Sequence, residues 1–281
     1  EDLSLNISRE ILQKNRQIQV IRNRTVRKVL DVLKALKQDE PEKYQTFWTE
    51  FGRVLKEGLF HQPGWDRSAD AHREAILDLC LFHTTRSGEG YATLEEYVGR
   101  MKDGQEAIYY LTGESRQAIE NSPHLEAFRA RDYEVLLLSD PVDEVWVSSV
   151  TEYKGKKLAS AGKGEVTLGS EEEKKQAEEE RKTQAETYGP LLKKIGELLS
   201  DHVKEVRLSN RLTASPVCLV GDEADLTPQL EQLLKATGQD LPATRRILEF
   251  NPGHPILERL HGLYQRDPAD GRLKDFAELL Y

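Results

Sequence analysis

The four residues Val135–Leu138 constrain the fold of this chain more than any others. They form a short, uniformly apolar run that follows a helix-like segment and is closed by Ser139, Asp140 and Pro141. So short a run, with polar punctuation on both sides, reads as a strand buried on both faces, and such strands belong to parallel sheets covered by helices. The unit implied is α-β-α, and a loop at the carboxyl end of its strand is a usual place for function. Residues 107–111 supply a second strand, β-branched and aromatic, closed by Thr112 and Gly113.

Helical spacing dominates what lies before this unit. Residues 5–30 open with Ser8 where an N-cap belongs and Glu10 in the positive first turn, and Ile11, Ile18, Ile21, Val29, Leu33 and Leu36 then predict one buried stripe. Pro41 suits the first position of the next helix, whose Tyr44, Phe47, Trp48, Phe51, Val54, Leu55 and Leu59 predict a broad buried aromatic face. A short helix over 73–82, a helix capped by Thr93 and another over 115–121 complete this part.

Beyond the unit the composition changes. Residues 151–169 turn to Gly, Ser and Lys and read as a domain junction holding a strand or two, and Ser170 with Glu173 forms a capping box for a long charged helix through residue 186. Gly189 and Pro190 predict a break, then a helix over 191–199, a strand over 203–208, and a partner strand at 217–220 that pairs with it. Thr227 and Pro228 start a further helix with Leu226, Leu230, Leu233 and Leu234 along it, and a strand, a tight turn and helices end the chain. The fold class is mixed α+β and α/β. The expected division is a helical linker over 1–40, a small α-β-α subdomain over 41–150, and a mixed α+β domain over 151–281.

Charge and cysteine content exclude several classes of function. The formal net charge of −9 argues against non-specific nucleic-acid binding by the whole chain, although residues 1–38 carry nine Lys/Arg against four Asp/Glu, a local charge of +5. Cys80 and Cys218 each sit inside an apolar run and read as reduced, buried hydrophobes of a cytoplasmic protein. No apolar run approaches a membrane span. Seven scattered histidines give no metal-ligand spacing, so no metal site is expected. The glycines at 88 and 90 lack the third glycine and preceding strand of a dinucleotide fingerprint, and Gly162-Lys163 fails as a phosphate loop because Gly164 follows and Lys157 stands where the first glycine belongs. With no initiator Met and an apolar helix at the end, the chain reads as cut from a longer polypeptide.

One pair stands out within the basic opening helix. Arg9 and Gln13 are four apart and project from the same side, offering a guanidinium and an amide that together suit a terminal phosphate. The competing reading is a solvated helix face, or a basic helix that docks an acidic protein partner without any enzymatic role.

Several strings taken together, LNISREILQKN, YVGRMKDGQEAIYYLTGES, EVLLLSDPVDE, RLTASPVCLV and FAELLY, resemble the ninety-kilodalton heat-shock chaperone family, most closely its bacterial branch. The resemblance implies the later middle domain and most of the C-terminal dimerisation domain of an ATP-dependent chaperone. It places on Arg9 the arginine that reaches the ATP γ-phosphate, with Gln13 beside it, and it implies that ATP with Mg is held by a separate N-terminal domain. It also implies unfolded or partly folded client proteins as partners, bound on exposed apolar residues for which Trp146, Leu226, Leu230, Leu233 and Leu234 are the candidates. A homodimer weakened here, and turnover that is negligible without the nucleotide domain, complete what it implies.

Overall fold

The structure, a computed structural model, describes residues 16–60, 68–236, 238 and 244–281. It forms two compact units that divide between Leu81 and Phe82.

The first unit is helical: α1 (Arg16–Asp39), α2 (Pro41–Glu57) and α3 (Ser68–Leu79). Helix α1 packs on both others. Leu30 and Leu33 of α1 are buried, as are Tyr44, Trp48 and Leu59, with Ile76, Leu77 and Leu79 from α3. Two side chains fix the ends of the bundle, the Tyr44 hydroxyl donating to the Leu79 carbonyl at 2.6 Å and the Lys37 ammonium to that of Asp78 at 2.5 Å. The expected stripe on α1 needs correction: Ile21 and Val29 are each 51 % exposed. The helix meets its neighbours through Leu30 and Leu33; at about 100° per residue Ile21 lies roughly a third to half a turn from them and Val29 flanks them, so the apolar side of α1 is broader than the part that is covered. The aromatic face of α2 is likewise divided, with Phe51 and Val54 exposed beside the buried Tyr44 and Trp48.

The second unit begins with β1 (His83–Thr84), α4 (Leu94–Gly99) and β2 (Ala107–Thr112), then α5 (Arg116–Glu120), a 3-10 turn over Pro123–Leu125 and α6 (Glu126–Ala130). It continues through β3 (Val135–Leu138), α7 (Pro141–Ser149), β4 (Glu152–Tyr153) and β5 (Lys156–Ser160). These strands form one sheet in the order β1-β3-β2-β5-β4. Its three inner strands are parallel, with Tyr110 opposite Leu136 and Ile108 opposite Leu158, while β1 and β4 run antiparallel at the edges. All four residues of β3 are buried, as a strand covered on both faces requires. Strand β5 pairs with β2, so the sheet continues past residue 150.

The rest of the unit is α8 (Glu171–Leu198), β6 (Val203–Leu208), β7 (Val217–Val220), α9 (Pro228–Ala236), β8 (Arg246–Phe250), α10 (Pro255–Arg266) and α11 (Arg272–Leu280). Helix α8 passes straight through Gly189 and Pro190, contrary to the expected break. An interior proline costs about 3 kcal/mol. Leu191, Leu192 and Ile195 follow it and are buried against β6, β8 and α10, at about 1.5–3 kcal/mol each, so keeping them in helical register outweighs the proline. The second sheet has the order β6-β8-β7, so β7 pairs with β8 and not, as expected, with β6. Strand β8 is buried along nearly its whole length, as a central strand with a neighbour on each edge should be, while β6 is buried only at its two ends.

Polar anchors hold the two sheets of this unit together. Arg211 is 1 % exposed; its Nε donates to Glu249 at 3.0 Å and its other nitrogens to the carbonyls of Ala161 and Gly164. Glu249 also accepts from Arg207 at 2.7 Å and from the Ser209 hydroxyl at 2.7 Å, so the buried charges are paired and hydrogen-bonded. The Glu126 carboxylate accepts from the backbone N–H groups of Thr213 and Ala214 at 2.6 and 2.7 Å, and from the Ser215 hydroxyl. Burial pushes its pKa up, but the hydrogen bonds from Ala214, Ser215 and Thr213 outweigh that and hold it below the usual range. Both cysteines are free and buried.

Candidate functional site

The sequence nominated two groups of residues. Arg9 and Gln13 lie outside the described residues. The apolar group falls on two helices of the second unit, α7 and α9, which pack against one another, with Leu226 just before α9.

Helix α7 starts at Asp140, whose N–H donates to Asp143 Oδ2 at 3.1 Å, with Pro141 at the first position. Its inner face carries Asp143, Glu144 and Trp146, all buried. Trp146 is fully buried, its ring centroid 5.8 Å from that of Phe82 and its Nε1 donating to Asp143 Oδ1 at 2.6 Å. The expectation of an exposed tryptophan is therefore corrected. An indole with its N–H satisfied internally and no accessible surface is a core residue.

Helix α9 is different. Thr227 caps it, accepting from the Leu230 N–H at 3.2 Å, and Leu226, Leu230 and Leu234 are only half-buried, while the side chain of Leu233 lies outside the described residues. The outer face carries Gln232 and Lys235, both exposed. A short amphipathic helix with partly accessible leucines can present apolar surface without giving up its own packing.

Charged groups that the sequence reading missed fasten the start of α9. The Thr227 hydroxyl donates to Glu144 Oε2 at 2.5 Å, and Glu144 Oε1 has no hydrogen-bond partner among the described residues. Arg246 pairs with Glu231 at 2.5 Å and stands 3.8 Å from Asp225, and the Lys163 ammonium donates to the Asp225 carbonyl at 2.6 Å. Burial, and then Glu144, push the Tyr110 phenol up to about 12. Lys163 is held below the usual lysine range by burial in the first place, with the nearby Glu144 acting the other way. Only the Asp140-x-x-Asp143 spacing could have signalled any of this, as a capping box; Glu144 and Lys163 carry no local signature.

Among the described residues no cluster of His, Cys, Asp or Glu could hold a metal ion, and no helix is long and apolar enough to cross a membrane. The unit offers a partly apolar helix whose start is fastened by charged groups.

Comparison with known proteins agrees with the strings quoted above. The profile of the family described as Hsp90 protein matches residues 1–281. Similar proteins include "Chaperone protein HtpG" of Nocardia farcinica, 54 % identical over 288 residues, that of Rhodococcus jostii, 52 % over 284, and that of Mycobacterium avium, 53 % over 281. Each match covers 100 % of this chain but only 42 to 43 % of the relative, so the chain spans less than half the length of these relatives. A profile matched from end to end, and half the residues shared with these relatives, place this chain in the Hsp90 protein family.

Proposed function

We propose that this chain is the client-handling and activating portion of an ATP-dependent molecular chaperone of the cytoplasm. The observation that carries the reading is the family match over the whole chain, joined to the half-buried leucines of α9 on a fixed base. Unfolded or partly folded polypeptides expose apolar side chains, and Leu226, Leu230 and Leu234, with Leu233 on the same helix, are the residues proposed to take them. Homodimerisation belongs to the whole protein in this reading.

Arg9 and Gln13 are proposed to act on ATP held with Mg by the family's N-terminal domain. An arginine that meets a γ-phosphate stabilises charge as the phosphoryl group departs, an effect worth about 10³–10⁵ in rate in the phosphoryl-transfer enzymes where it has been measured. The chain's own share is the guanidinium and its placement; it is not proposed to bind nucleotide by itself.

Mixing this chain with a separately prepared N-terminal nucleotide domain tests the assignment. The mixture is expected to hydrolyse ATP faster than the nucleotide domain alone, and Arg9→Ala is expected to abolish the gain while leaving association intact. Equal stimulation by the alanine variant would remove Arg9 from the mechanism. In the rival reading, a basic helix docking an acidic protein, Arg22, Arg24, Arg27, Lys28 and Lys34 are the exposed groups, and binding would weaken with salt and ignore nucleotide.

A further inference from the structure

Helix α9 is attached to the second unit in a different way from its neighbours. Trp146 anchors α7, Leu257 and Leu260 anchor α10, and Leu273 anchors α11, each buried in the unit. Among its described side chains α9 buries none. Elements with little buried apolar surface open at low cost and separately from global unfolding.

Polar groups hold α9 instead, and they reach it from three separate parts of the fold. On α7, Glu144 accepts from the Thr227 hydroxyl at 2.5 Å. Arg246, the first residue of the central strand β8, pairs with Glu231 in the first turn of α9 at 2.5 Å, with each side chain only 13 % exposed. Lys163 donates to the Asp225 carbonyl at 2.6 Å. Asp225 in turn closes a turn with Asp222: its N–H donates to the Asp222 carbonyl at 3.1 Å, and the Asp222 N–H donates to its Oδ2 at 2.8 Å.

The turn before α9 is thus pinned to Lys163, whereas Thr227 and Glu231 are each held through a single side chain. Arg246 is largely shielded from water, where a charge is costly unless paired, and Asp225 stands farther off at 3.8 Å. Without the Glu231 charge, lifting α9 away would let water reach the guanidinium. The ion pair therefore weights the balance between a docked and a lifted helix.

We propose that α9 is a releasable strap: it swings off α7 about the Asp222–Asp225 turn as one body while α7 and β3 stay folded, and the Arg246–Glu231 pair is the latch that keeps it docked. Swinging out uncovers the sides of Leu230 and Leu234 that docking closes off. That unfolded polypeptide then takes them rests on the function proposed above; the opening itself does not.

Hydrogen exchange of the 281-residue chain tests the strap, read at the amides of residues 231–236 in α9 and 135–138 in β3. The α9 amides are expected to exchange through an opening far more frequent than that of β3. Glu231→Gln is expected to quicken them about tenfold, the worth of one charge-assisted contact, with α7 and β3 unchanged. Salt at about 1 M should quicken α9 in the unaltered protein and add little in the variant, because screening acts on the pair. Gln232→Ala, on the exposed face, should leave exchange as it was. Exchange of α9 only with global unfolding, loosening of α7 or β3 along with it, or a Glu231→Gln variant no faster than the unaltered protein would each overturn the proposal. The salt series on the unaltered protein stands without any variant, and no quickening there would overturn it too. Binding of reduced and alkylated lactalbumin separates the two readings: faster opening without greater capture leaves the latch standing and removes the client role.

Discussion

Helices α7 and α9 begin alike and end up in opposite roles. Each has nine residues, a polar cap and a proline at its first position, and each carries large apolar side chains singled out from the sequence. On α7, Trp146 and even Asp143 and Glu144 are sealed in. Helix α9 packs on α7, and its leucines keep part of their surface. Amphipathic pattern decides that a helix has an apolar side. What meets that side is decided by where the sheet places the neighbours.

The largest effect that can break this contrast is on stability. Trp146→Ala should cost about 3–5 kcal/mol, the range for emptying a packed aromatic site. Leu230→Ala should cost only about 1 kcal/mol, since a half-buried side chain loses less than the 2–5 kcal/mol of a buried one. Urea unfolding of the two variants checks it, and equal costs would mean that α9 is as much core as α7.

A smaller effect sharpens the contrast at the joint between the helices. Thr227 both caps α9 and donates to Glu144, so Thr227→Val should destabilise the start of α9 by about 1 kcal/mol, a typical cap loss. Hydrogen exchange should quicken at residues 230–234 and stay unchanged in β3. If β3 loosens as well, the helices open as one body and the contrast is of exposure alone.

Much of this fold was legible in local chemistry. The all-buried strand at Val135–Leu138, the capping boxes at Thr93/Glu96 and Ser170/Glu173, and the starts of α7 and α9 depend on residues within a few positions of one another. The readings that failed depend on distant partners. Pro190 stays helical because Leu191 and Ile195 have a core to reach, β8 takes the centre of its sheet because both β6 and β7 pair with it, and Ile21 is exposed because α2 and α3 meet another face of α1. Trp146 failed for the same reason, since burial of a single aromatic is set by distant partners, here Phe82. The site was legible in part: the leucines of α9 follow from periodicity, whereas Glu144, Lys163 and Arg246 converge from three separate elements. Arg9 and Gln13 were legible as a string, through resemblance, and remain a proposal.

The central claim is that α9 offers accessible apolar surface to unfolded polypeptides and α7 does not. A photo-crosslinking side chain placed at Gln232 of α9, and separately at Ser149 of α7, both exposed positions, tests it against a purified, permanently unfolded polypeptide such as reduced and alkylated lactalbumin. The account predicts capture from Gln232, reduced when Leu230 and Leu234 are changed to serine, and little from Ser149. Equal capture from both positions, or capture from Gln232 that ignores the leucine changes, would contradict it.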